Sequence, residues 1–202
     1  MRIVFFGAAS ELGGQAVAEA LDRGHTVTAL VSDPECLTMR HTRLTVVAGD
    51  VRDPQAVAAV IAGQDAVITC IDDPDLISVG MTNILAGMRA AGVQRIVAVS
   101  ADGILQEDAE MLRRDASDFP PAFRAISTEY LRAYELLRSS GARWTLACMP
   151  TLTSGEGNGG YRAERDYLPE GGTQISQADA ALFLLDELES GAFIGSRVGI
   201  AE

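Results

Sequence analysis

A single α/β domain built on a doubly wound, Rossmann-type parallel sheet is the fold this sequence predicts, and three observations predict it. Short apolar runs alternate with segments of helical spacing through the first half of the chain. Glycines or Asp-Pro pairs separate them at short intervals, and such alternation calls for parallel strands joined by right-handed crossovers. The length, 202 residues, suits one large domain with a substantial core.

The elements follow in order. Arg2 to Phe6 is an apolar run that fits a strand buried on both faces, and the Gly7 to Gly14 stretch fits a tight turn into a helix. Leu12, Ala16, Ala20 and Leu21 give that helix an apolar stripe to Arg23, and Gly24 stops it. His25 to Val31 and Leu44 to Ala48 read as the second and third strands, and Asp53-Pro54 opens a helix carrying Val57, Val60 and Ile61. Ala66 to Ile71 is the fourth strand; a helix follows to Ala91, and Arg95 to Ser100 is the fifth strand. Residues 101–123, acidic and carrying Pro120-Pro121, are expected as a surface excursion overhanging a cleft. Ser127 to Ser140 predicts a helix and Arg143 to Met149 a sixth strand. The glycine-rich stretch 153–173 predicts a loop over a substrate. Ser176 to Asp179 is a capping-box-like start to an apolar helix, with Asp in the Glu position, and Arg197 to Ala201 is a last strand.

Composition excludes several function classes. All sixteen cations are arginine, so no Schiff-base lysine, P-loop lysine or Tyr-x-x-x-Lys pair exists. A net charge of −12 argues against nucleic acid or an anionic membrane as partner. Cys36, Cys70 and Cys148 are odd in number and adjoin apolar runs, which reads as reduced thiols in a cytoplasmic protein. No metal-ligand cluster stands out. The opening apolar run is interrupted by Glu11 and fits no signal peptide, and no stretch approaches a membrane span.

The first turn is the candidate site. A helix N-terminus offers unpaired N–H groups and partial positive charge to a pyrophosphate, and glycine lets the backbone come close. In a G-x-x-G-x-x-G reading Gly7 and Gly13 are in place and Ser10 takes the middle position, where its hydroxyl can cap the helix but its Cβ occupies space beside the phosphates. The same turn also serves as a plain strand-to-helix corner. Asp33 ends the second strand with Ser32 before it, where an acid can accept from ribose hydroxyls; Asp33-Pro34 equally reads as a helix cap. Asp50 can meet an adenine amino group or simply make a turn. Asp72, Asp73 and Asp75 put three carboxylates on the face where a dinucleotide would lie.

The chain resembles atypical short-chain dehydrogenases of the NAD(P)-binding, NmrA-like group, and within it the small biliverdin-IXβ (flavin) reductases. The matching segments run nearly end to end, among them Gly7-Ala8, Gly49-Asp50-Val51, Ala62 to Ile68, Ala91-Gly92-Val93, Leu136 to Gly141, Met149-Pro150 and Ile175-Ser176. The resemblance implies hydride transfer from NAD(P)H to a planar acceptor such as a flavin or tetrapyrrole, chemistry that asks mainly for two rings to be stacked and oriented. It implies that Gly7, Ser10, Glu11, Leu12 and Gly13 hold the pyrophosphate. Ser32, Asp33, Asp50 and Val51 would hold the adenosine, Ile71 and Asp72 would line the cofactor's path, and Ser100, Met149 and Pro150 the nicotinamide, with Ser100 also the candidate catalytic residue.

Five positions depart from the group's pattern. Ser10 replaces the middle glycine, Ser32 an arginine that pairs the 2′-phosphate of NADP, Asp72 a glycine, Ala101 the active-site serine and Leu152 a histidine. Loss of a guanidinium–phosphate pair, roughly 1.5 to 3 kcal/mol, tilts the expected cofactor from NADP toward NAD. Three readings therefore stand: a reductase of planar substrates, a non-catalytic NAD(P) sensor, and a scaffold that has lost its cofactor. Tyr130 and Tyr134, four apart with no lysine, read as one helix face.

Overall fold

The computed structural model describes residues 1–202. In chain order its elements are β1 (Arg2–Phe6), α1 (Glu11–Asp22), β2 (Thr26–Val31), β3 (Leu44–Ala48), α2 (Pro54–Ile61), β4 (Ala66–Thr69), α3 (Pro74–Ala91), β5 (Arg95–Ala101), α4 (Arg124–Ser139), β6 (Arg143–Met149), β7 (Thr151–Thr153), β8 (Arg162–Arg165), β9 (Gln174–Ser176), α5 (Gln177–Ser190) and β10 (Ser196–Ala201). Eight strands form one sheet in the order β3-β2-β1-β4-β5-β6-β10-β8, parallel throughout except for β8, which runs antiparallel on β10. The predicted α/β doubly wound sheet is what the chain forms. Strand order reverses between β1 and β4, and a ligand crevice belongs at that switch point.

Each face of the sheet has its own core. Along β1, Ile3 and Phe5 join the layer under α1 and α5, while Val4 and Phe6 join the layer under α2, α3 and α4. All four are fully or almost fully buried, as the uninterrupted apolar run requires of a strand covered on both sides. Three Asp-Pro pairs punctuate the chain: Asp33, Asp53 and Asp73 each accept the N–H two residues on, at 2.9, 2.8 and 2.9 Å. The last two open α2 and α3, and the first opens a short 3-10 turn over Pro34–Cys36. Each proline sits where a helix has no use for its missing N–H.

At the N-terminal edge of the sheet Arg95 is buried among oxygens. Its guanidinium donates to the Glu187 carboxylate at 2.8 Å, to the Glu187 carbonyl at 2.6 Å and to the Thr145 hydroxyl at 2.9 Å. Glu187 completes the set by accepting the Phe193 N–H. No helix is long and apolar enough to cross a membrane.

The structure corrects several expected boundaries. β2 starts at Thr26 because the His25 N–H is still committed to the end of α1, donating to the Ala20 carbonyl at 3.0 Å. Regular pairing in β4 ends at Thr69, and α4 begins at Arg124, three residues before its expected start. Segment 101–123 is no overhang: Ile104, Leu105, Ala116 and Phe119 are buried, the Gln106 N–H ties it to the Asp166 carbonyl at 2.8 Å, and Arg197 donates to the Ile104 carbonyl. Stretch 153–173 is no simple loop, since β8 extends the main sheet from within it. The expected capping box at Ser176 is half formed. The Ser176 hydroxyl accepts the Asp179 N–H at 3.1 Å, but the Asp179 carboxylate accepts from Asn158 and Gly159 instead of reciprocating.

Candidate functional site

The turn after β1 is fixed by contact at two glycines. Gly7 has φ +78°, and a Cβ there would sit 2.5 Å from the carbonyl carbon and oxygen of Cys70. A Cβ on Gly13 would lie 2.1 Å from the Gly7 oxygen. Glycine at both positions lets α1 press its N-terminus onto the ends of β1 and β4. Ser10 caps α1, its hydroxyl accepting the Gly13 N–H at 3.1 Å and donating to the Gly7 carbonyl at 2.9 Å. The N–H groups of Glu11 and Leu12 have no backbone partner, so they remain free for an anion at the positive end of the helix.

Of the hollows that border this turn, two share Ser10 and Asp72. The first, about 340 Å³, is walled by Gly7, Ser32, Asp50, Val51 and Ile71 beside the ends of β1, β2 and β3. The second, about 330 Å³, lies over the ends of β5 and β6, walled by Glu11, Leu12, Ser100, Met149, Pro150 and Tyr130. Their placement on either side of a helix N-terminus, at the switch point, fits a dinucleotide with its pyrophosphate at the turn. The carboxylates of Glu11 and Asp72 are the unfavourable feature.

Twelve of the fourteen residues assigned from sequence to the cofactor line these hollows. Gly13 lies behind the turn, where its value is close packing. Asp33 lies outside both walls and spends its carboxylate on the Glu35 N–H. Asp50 is engaged by Arg52, at 2.6 Å from Nη2, and this guanidinium holds its carboxyl below the usual carboxylate range. Ser100 is buried in the second wall, with its hydroxyl donating to the Ala101 carbonyl at 3.2 Å. Ala101 and Leu152 also line that hollow, so with Ser10 and Asp72 four of the five departures stand at it directly. Of segments 101–123 and 153–173, only Ala101 reaches it.

Sequence reasoning missed three residues at the site. Arg52 borders the first hollow, and its i, i+2 spacing from Asp50 was the available signal. Tyr130 is 5% exposed in the second wall, and burial, with Asp72 nearby, pushes its phenol well up. It therefore stays protonated and can only donate its O–H or accept at oxygen. The expectation of one shared tyrosine face holds: Tyr130 and Tyr134 both lie on α4 and pack against the same core layer, Tyr134 edge-on to Trp144, ring centres 5.8 Å apart, with Arg197 over its face. Gln177, first residue of α5, also lines the second hollow, and nothing in its sequence context pointed there. Cys70 borders the same space, and burial pushes its thiol up to about 12, which removes it as a nucleophile.

This geometry defines a nucleotide-binding Rossmann cleft. The chain belongs to the NAD(P)H-binding family, whose sequence profile matches residues 7–190, and it is consistent with the atypical short-chain dehydrogenase/reductases. That family is one of oxidoreductases taking NAD or NADP. Among its solved relatives is a Burkholderia pseudomallei protein provisionally described as exported, 31% identical over the full length of both chains with a TM-score of 0.90. Another, from Streptococcus pneumoniae TIGR4 and provisionally described as an NADH-flavin reductase, is 27% identical over 100% of this chain and 99% of its own, with a TM-score of 0.86. The (4-alkanoyl-5-oxo-2,5-dihydrofuran-3-yl)methyl phosphate reductase of Streptomyces griseus is 30% identical over 75% of this chain and 48% of its own. The chain spans about half the length of the curated relatives it matches.

Proposed function

We propose that this protein is an NAD(P)H-dependent reductase that passes hydride to a planar acceptor of the flavin or tetrapyrrole kind, with NADH the preferred donor. The observation that carries the reading is the second hollow, where a protonated Tyr130, Ser10, Ser100 and Gln177 stand among the apolar Leu12, Val99, Met149, Pro150 and Leu152, with no Tyr–Lys pair to drive carbonyl reduction. A delocalised acceptor needs no strong acid, because its ring takes up the charge. The dinucleotide supplies the hydride when bound; Glu11 and Leu12 N–H groups hold its phosphates, and Met149 and Pro150 support a ring. The NADH preference rests on Ser32, which offers no cation to a 2′-phosphate, and on Asp50, which holds the neighbouring Arg52.

The experiment is steady-state NADH oxidation with riboflavin and FMN as acceptors, beside calorimetric titration of NADH and NADPH. Turnover with micromolar cofactor binding is the expected result. Binding without turnover on any planar acceptor would favour the second reading, a non-catalytic sensor of the NmrA type. The engaged Ser10 hydroxyl and the Ala101 and Leu152 replacements support that alternative. No binding at millimolar concentration would overturn both. In either reading nucleic acid and anionic membranes are not partners, given the net charge of −12.

A further inference from the structure

Three buried side-chain polar atoms in this chain have no hydrogen-bond partner: Arg95 Nε, Arg114 Nη1 and Gln177 Oε1. The two arginine atoms belong to guanidiniums already held by hydrogen bonds at a neighbouring nitrogen. Gln177 differs, because it stands in the wall of a cavity. It is 9% exposed and lines the second hollow with Ser100, Tyr130, Met149 and Leu152. Its backbone explains the position: Ser176 caps α5 with its own hydroxyl, and Gln177 is the first helical residue, set in the wall of the cavity.

A buried carbonyl without a donor is unfavourable, and proteins rarely keep one without use. Oε1 is shut from solvent as it stands, and the terminal amide torsion of glutamine is soft, so the amide can turn to present it to a ligand in the cavity. We propose that Gln177 is a specificity-determining residue of this cavity, accepting a hydrogen bond from an amide or imide N–H on the ring bound there. This rests on the reductase reading above and narrows it, favouring acceptors with such an edge over quinones, which have none. The same chemistry comes from two sources, the imide of a flavin or the carboxamide of the nicotinamide, and the test separates them.

The probes are two pairs of ligands that differ only at that N–H: riboflavin against N3-methylriboflavin, and NADH against reduced 3-acetylpyridine adenine dinucleotide. Binding is followed by fluorescence and calorimetry on the intact protein and on Gln177→Met, which keeps the volume and removes the acceptor. The wild-type protein is expected to bind the N–H member of one pair about tenfold more tightly than its blocked partner. Gln177→Met is expected to lose that preference with an unchanged or higher melting temperature, since an unpaired buried carbonyl has gone. The pair that responds identifies the source. Equal binding within both pairs by the wild-type protein overturns the assignment while the reductase reading stands. So does a Gln177→Met variant that melts lower and weakens both members of a pair alike, which marks a structural role. If the wild-type protein binds none of the four, the reductase reading falls and the assignment with it.

Discussion

The hydroxyl of Ser10 donates to the carbonyl of Gly7 at 2.9 Å. Because the same oxygen accepts the Gly13 N–H, the turn satisfies internally one of the donors that such helices usually present to phosphate. Ser10→Gly is expected to free that N–H and raise NADH affinity roughly threefold to tenfold. Loss of the cap is expected to lower stability by only a few tenths of a kcal/mol, about the difference between serine and glycine at such a position. Calorimetry and urea denaturation on the same preparation measure both, and weaker NADH binding in Ser10→Gly would sink the idea.

Cofactor choice is expected to turn on Ser32, which borders the first hollow. Ser32→Arg supplies a guanidinium to a 2′-phosphate, a charge-assisted pair of about 1.5 to 3 kcal/mol. The ratio of NADPH to NADH dissociation constants is expected to shift by tenfold or more toward NADPH. An unchanged ratio would mean that the ribose lies elsewhere.

Much of this architecture was legible in the sequence because burial on both faces leaves an unmistakable mark. Val4 to Phe6 and Ile96 to Ala98 read as strands from their apolar runs alone, and Gly7 and Gly13 read as a turn that nothing larger fits. β8 was not legible. Its Arg162, Ala163, Glu164 and Arg165 lie on the sheet edge, and an exposed edge strand needs no apolar pattern. Tyr130 and Gln177 escaped for another reason. Their roles depend on where α4 and α5 dock over β5 and β6, which helical spacing within either segment does not encode.

Glu187 is expected to be the most sensitive polar position for stability. Its side chain is 1% exposed and it pairs Arg95 at 2.8 Å. Glu187→Ala leaves a buried guanidinium without its counter-charge and is expected to cost about 3 to 5 kcal/mol. Urea midpoints read this directly, and the double change Arg95→Met with Glu187→Leu is expected to recover much of it. A loss under 1 kcal/mol in Glu187→Ala would refute the pairing.

The thiols divide by burial. Cys36 is exposed while Cys70 and Cys148 are buried, so a thiol reagent at pH 8 is expected to label one cysteine in the native protein and all three in denaturant. Mass spectrometry counts the labels, and modification of Cys70 or Cys148 without denaturant would contradict this structure.

Burial pushes both inner thiols from 9.0 up to about 12. A group protonated more tightly when folded holds its full contribution below its unfolded value and loses it as pH rises toward the folded one. Stability is therefore expected to fall between about pH 9 and pH 12, by up to ~1.4 kcal/mol per pH unit per thiol. Denaturation of wild type and of Cys70→Ala with Cys148→Ala across this range tests it; equal slopes would rule the thiols out.

β10 separates β6 from β8, and β8 pairs with nothing else in the main sheet. The ribosome makes β8 some thirty residues before the strand that receives it, so its four residues must wait, unpaired, while α5 is made. Only when residues 196–201 emerge can both gaps close, one on each side of a single strand. Completion of the sheet is therefore a late, one-step event in the life of each new chain.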